Sequence, residues 1–157
     1  MTETTRAGGF RRPVFYLMLA AILTIAASCY STSYRKQMTA NIDLLAELSD
    51  KLEDYCRAGF IINDRPISSE EMGEFYYGLK KAQGFAASRR GEASRASYRD
   101  FASLIDQYAA FVHSADEYRL STQRDPKKLD ALTAHKDALE QTVSQARRDL
   151  ISEEENH

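Results

Sequence analysis

Apolar positions along this chain fall into two regimes. From Pro13 to Tyr34 no charged residue occurs, and Val14 to Ala27 (VFYLMLAAILTIAA) carries no polar face. As a helix, 22 uncharged residues rise about 33 Å, enough to cross a bilayer core. From residue 35 onward the apolar period is helical, and no stretch alternates like a half-buried strand. A first helix over about 35–60 sets Met38, Leu45, Leu48, Leu52 and Tyr55 on one seam. Asp43, Glu47, Asp50 and Asp54 lie opposite, at i, i+4, i+7 and i+11, and read as a solvated face. Asn63, Asp64 and Pro66 break the chain between Gly59 and Ile67.

Ser68 followed by Glu71 is a capping-box pattern, which starts a second helix near 69 with Met72, Phe75, Leu79, Ala82 and Ala86 on its seam. Gly91 ends it, and Ser94 or Ser97 is the expected cap of a third helix over about 95–121. That helix bears the broadest apolar stripe, with Tyr98, Phe101, Leu104, Ile105, Tyr108, Phe111, Val112 and Ala115. Asp125 before Pro126 opens a fourth helix that runs to about 151 through Leu129, Leu132, Leu139, Val143, Ala146 and Leu150. Lys136 occupies that seam where an apolar residue is expected, so it must snorkel to an edge or meet a carboxylate.

The fold class expected is therefore all-α: an N-terminal membrane-spanning or signal helix, then an antiparallel up-down four-helix bundle. The alternative fuses the second and third helices across Gly91 into a long helical hairpin or coiled coil that needs a partner chain. The domain division is a basic segment over 1–12, an anchor or signal segment over 13–34, a helical bundle over 35–152 and an acidic tail over 153–157.

Arg6, Arg11 and Arg12 precede the uncharged run and Arg35 and Lys36 follow it, a weak preference for the N-terminus inside. Tyr16, Tyr30 and Tyr34 stand where interfacial aromatics belong. Ala26, Ala27, Ser28 and Cys29 resemble the lipobox of bacterial lipoprotein signal peptides, departing from it at Ala26, where Leu is usual. The resemblance covers only the first 29 residues and implies lipidation at Cys29 after cleavage. An uncleaved single-pass anchor, a lipoprotein and a cleaved secreted protein remain open, and all three put residues 35–157 outside the cytoplasm, on the periplasmic or extracellular side.

Charge and composition narrow the function. Lys plus Arg number 21 against 23 for Asp plus Glu, a net charge of −2. Nothing so balanced has the basic footprint of a nucleic-acid binder. Two Cys cannot build a disulfide framework or a structural zinc site. Carboxylate-bridged di-iron bundles require Glu-x-x-His, yet Ala110 precedes His113 by three and Leu132 precedes His135 by three. No Cys-x-x-Cys-His haem site and no phosphate loop occurs, and Gly73, Gly78 and Gly84 lie inside a helical pattern. His113 with Asp116 and Glu117 reads as a solvated cluster, and Cys56 as a half-buried thiol. The expectation is no enzyme, no cofactor and no metal.

What remains suggests contact. Ile61, Ile62 and Ile67, together with Phe60, are unusually apolar for a connection and either plug the bundle or dock a partner. Phe75, Tyr76 and Tyr77 turn through about 200° on a helix, so Tyr76 and Tyr77 are candidates for a partner surface. Lys80 to Arg99 holds six basic residues and one acidic, and Arg89, Arg90 and Arg95 form a basic turn suited either to anionic lipid or to the acidic tail. The expected role is a membrane-attached accessory, scaffolding or interaction subunit of an envelope complex, with the membrane and a protein partner or second copy as partners and no nucleic acid. The alternatives are a small-ligand-binding sensor or carrier bundle, and a bacterial lipoprotein of unknown activity.

Overall fold

The computed structural model describes residues 11–121 and 126–155, with side chains from residue 32 onward except at 154. Four helices make up most of it: α1 (Arg11–Arg57), α2 (Ser69–Ser88), α3 (Ala96–Leu120) and α4 (Pro126–Glu155). A two-residue hairpin, β1 (Ile61–Ile62) and β2 (Arg65–Pro66), joins α1 to α2, and a short 3₁₀ turn (Arg90–Glu92) lies between α2 and α3. The fold class is all-α.

The chain divides into two compact units, Met1–Gln37 and Met38–His157. In the first, the described backbone is helical from Arg11, and the Gln37 amide donates to the Ser33 hydroxyl at 3.3 Å. The side chains of the uncharged run and of Cys29 lie outside the described residues. Among the described residues, no helix is long and apolar enough to cross a membrane. Tyr34, expected at an interface, is instead buried.

In the second unit, cross-helix pairs fix the direction of each helix. Leu48 meets Gly78 while Tyr55 packs edge-on to Phe75, so this part of α1 runs antiparallel to α2. Phe85 packs on Phe101 and Tyr76 on His113, which reverses α3 against α2. Thr142 donates to Gln107 and Ser97 to Glu153, which reverses α4 against α3. Asp43 pairs with Arg147 and Asp50 with Lys136, which closes the ring back to α1. The break between α2 and α3 is thus a true reversal, and the fused-hairpin alternative is not what forms.

Met38, Ile42, Leu45, Leu52, Phe75, Phe101, Leu104, Tyr108, Phe111 and Leu139 fill the middle of the bundle. Each seam read from the sequence faces inward, because helices of this length bury their apolar stripe only against one another.

Local chemistry sets the ends. Ser68 accepts from the Glu71 N–H at 3.1 Å and the Glu71 carboxylate accepts from the Ser68 N–H at 2.7 Å, so the capping box forms as the sequence suggests. The connection before it is a hairpin, a correction to the strand-free reading. Its ladder pairs only Ile61 with Pro66 and Ile62 with Arg65, too short to leave an alternating pattern. Asn63 and Asp64 sit at φ 51 and 62 as the central pair of its tight turn. Phe60 is also left-handed, at φ 58. That conformation costs a residue with a Cβ about 1–2 kcal/mol, offset by burying the ring against Tyr118 at 6.1 Å.

The third helix departs from expectation at its start. Neither Ser94 nor Ser97 caps it; the cap position is Arg95, whose side chain makes no capping bond. Ser97 lies inside the first turn, and its N–H and hydroxyl donate to Glu153 at 3.0 and 2.8 Å. A carboxylate brought from α4 does what a local side chain does not. The cap expected of Asp125 lies outside the described residues. The fourth helix runs to Glu155, past the expected end near 151.

Candidate functional site

The hairpin end of the bundle carries the first group of expected contact residues, and the structure divides them. Phe60 and Ile67 are buried, so they plug the bundle. Ile62 is half-buried, and Ile61 turns outward at 43% exposure. Tyr118 beneath Phe60 is buried, while Leu120 is exposed.

On α2 the two tyrosines also part company. The Tyr76 hydroxyl donates to Asp116 at 3.4 Å and its ring packs edge-on to His113 at 5.8 Å. α3 therefore engages Tyr76, which is half-buried. Tyr77 stays 70% exposed. Asp116 is held by Arg119 at 2.8 Å, and among the described residues no cluster of His, Cys, Asp and Glu is arranged to hold a metal.

The opposite end, where Met38 enters the bundle, holds the basic turn. Arg95 is paired with Glu92 and approaches Glu153 at 3.6 Å. Arg89 lies over the Phe85 ring, its guanidinium carbon 5.9 Å from the centroid. Arg90 is exposed. So Arg95 joins the acidic end of α4, and the turn presents less free positive charge than its sequence suggests.

One turn further into the bundle, the ties Ser97–Glu153 and Gln107–Thr142 set Asp100 of α3 opposite Asp149 of α4. Burial first, and Asp149 and its charge second, raise the Asp100 carboxyl above its ordinary value, with Arg99 pulling the other way. The Asp100 Oδ2 atom is buried and has no hydrogen-bond partner. Asp149 itself takes the Gln145 amide at 2.7 Å.

Lys136 is a buried ionic group, at 2% exposure. Its ammonium reaches Asp50 at 2.7 Å, Glu53 at 3.7 Å and Glu140 one turn along its own helix. Burial pulls its pKa down, but bonding to Asp50 and Glu140 outweighs this and leaves it raised. Two members of the α1 acidic stripe, Asp43 and Asp50, hold α4 cations while keeping 42% and 68% of their side-chain surface in water.

No protein family matches the chain, and no curated protein or solved structure is significantly similar to it. Function therefore rests on geometry alone.

That geometry offers surfaces more than a chamber. Between α3 and α4 runs an open groove of about 870 Å³, lined by polar groups including Asp100, Ser103, Gln107, Gln141 and Arg148. A smaller one, about 520 Å³, lies between α1 and α4 over Leu139 and Val143, flanked by Asp43, Glu47 and Arg147. Cys56 is buried and its thiol is pushed up to about 12, chiefly by burial and then by Glu53. A thiol held protonated is a poor nucleophile. Sequence reasoning missed the Asp100–Asp149 pair and the Glu153 cap. Both join residues about fifty positions apart, and no local spacing encodes them.

Proposed function

We propose that this chain is a membrane-attached helical domain, held outside the cytoplasm, that works by contact as an accessory or scaffolding subunit of an envelope complex. The observation that carries the reading is the continuity of α1. One helix runs from Arg11 through the uncharged stretch 13–34 and on to Arg57 without interruption. What supports membrane attachment is the sequence of that stretch: 22 positions without a charge, the length that a bilayer core asks of a helix.

Exposed Tyr77, Ile61, Leu120 and Ile151 supply apolar contact on a small domain. The bundle's middle is occupied by its own side chains, which favours contact over catalysis. A second reading, a bundle that senses or carries a small polar ligand, draws on the groove between α3 and α4. Retention as an anchor and lipidation at Cys29 both satisfy the membrane reading, and Arg90 with its basic neighbours adds attraction for anionic headgroups.

Fractionation tests the attachment: the full chain partitions with membranes, and a variant carrying Leu19→Lys and Leu23→Lys does not. Intact mass then separates the two modes. A mass lacking residues 1–28 and carrying acyl chains removes the anchor in favour of a lipoprotein, and recovery in the soluble fraction at full length overturns both.

A further inference from the structure

Two carboxyl groups that face each other without a donor between them pose a chemical question. Asp100, on the first turns of α3, lies opposite Asp149, on the last turns of α4, in the register that Ser97–Glu153 and Gln107–Thr142 fix. Its Oδ2 atom is shielded from solvent and receives no N–H or O–H. A buried acceptor left so is costly, and two ionised carboxylates in contact repel. One proton resolves both conditions, because a protonated oxygen becomes a donor to the opposite carboxylate.

The surrounding groups do not neutralise the pair by other means. On α3, Arg99 exerts a favourable charge but donates to the Ser94 carbonyl at 3.0 Å. On α4, Arg148 donates to the Gln145 side chain, Gln145 donates to Asp149, and Glu153 adds a further negative charge. From the turn before α3, Arg95 is engaged by Glu92 and Glu153.

We propose that Asp100 and Asp149 form a proton-binding site that locks the last turns of α4 against the start of α3, and that loss of the shared proton loosens this lock. The neighbouring tie gives the lock something to hold. Glu153, one turn beyond Asp149, accepts from the Ser97 N–H and hydroxyl, the cap that α3 lacks locally. With the proton in place, two successive turns of α4 are fastened to α3. Without it, like charges sit one turn from the only side-chain cap that helix has among the described residues. This happens at the end of the bundle where Met38 enters. On the reading that the domain lies outside the cytoplasm, the acidity of that compartment is sensed beside the entry of α1.

The sign follows from the raised Asp100 carboxyl. A group that binds its proton more tightly when folded adds stability at low pH, in full below the ordinary aspartate value of 3.8, and loses it as pH rises through the raised value.

The test uses the full chain in detergent micelles, with carboxyl carbons followed by NMR and amide exchange followed over α3 and α4. Asp100 is expected to titrate above 3.8, and Asp149→Asn is expected to lower that titration. Protection of the Ser97 amide, taken relative to its intrinsic base-catalysed rate at each pH, is expected to fall as Asp100 ionises, by about tenfold for each pH unit between that ionisation and the ordinary value. Asp100→Asn, whose amide donates as the shared proton would, should keep that protection constant across the same pH range; Asp149→Asn serves equally if the first variant folds poorly. Titration of Asp100 at its ordinary value, or the same pH dependence of protection in both asparagine variants as in the parent, overturns the proposal.

Discussion

Replacing Lys136 by Met tests what the buried ammonium contributes. The side chain is 2% exposed, but two of its partners, Asp50 and Glu140, keep 68% and 62% of their side-chain surface in water. Removing the charge therefore strands no carboxylate without solvent; Glu53, at 20%, already has Arg57 as a second partner. Methionine nearly matches the lysine stem in volume and spares the desolvation of an ammonium, and replacement of buried ion pairs by apolar residues is neutral or stabilising by about 1–4 kcal/mol. The expected result for Lys136→Met is a gain of roughly 0–2 kcal/mol. Over the 120 residues from Met38 to His157, that is a rise in melting temperature of up to about 8 °C. Lys136→Ala loses the packed stem and leaves a void, so it is expected to cost about 2 kcal/mol. Thermal melts by circular dichroism at pH 7 in low and high salt give both numbers. A loss of about 3 kcal/mol or more in Lys136→Met would refute the reasoning, since it would mean that the ion cluster stabilises more than an apolar chain of equal size.

Three further expectations are open to measurement. The glycines of α2 should separate: Gly73→Ala and Gly84→Ala meet open space and should each stabilise by about 0.5–1 kcal/mol. Gly78→Ala drives a Cβ into Leu48 Cδ1 and should destabilise by about 1–2 kcal/mol in the same melts. Cys56 should resist maleimide in the folded protein at pH 8 and react on denaturation, because burial holds its thiol protonated; fast native labelling would count against the packing around it. Glu71 is drawn down to about 2, first by Arg65 and then by the Ser68 N–H, so its contribution is present above its ordinary value of 4.5 and is lost as pH falls toward 2. Glu71→Gln should flatten that acid limb of the stability profile, opposite in sign to the Asp100–Asp149 pair.

Legibility divides by sequence distance. The α2 start is readable because Ser68 and Glu71 satisfy each other within one turn. The seams of α1, α3 and α4 are readable because burial imposes one period along each helix. The fate of Lys136 is readable only as a need for a carboxylate; which one supplies it, Asp50 of α1, depends on how α1 and α4 are staggered. The start of α3 misleads for the same reason, since Ser97 looks like a local cap and is instead donor to a distant acceptor. Tyr76 looks like surplus aromatic surface until α3 supplies Asp116 and His113.

The cap on α3 also carries a consequence for the order of assembly. Ser97 and Glu153 are separated by 56 positions, and all of α4 but its final turn lies between them. A nascent chain thus holds three helices with the start of α3 unsatisfied until nearly the whole of the fourth has emerged. Closing a loop of that length costs only modestly more than closing a short one, yet it waits on the arrival of a single glutamate. That turn of α4 acts as a clasp, and a bulky group attached directly behind Glu155 would press against the fastening that finishes the fold.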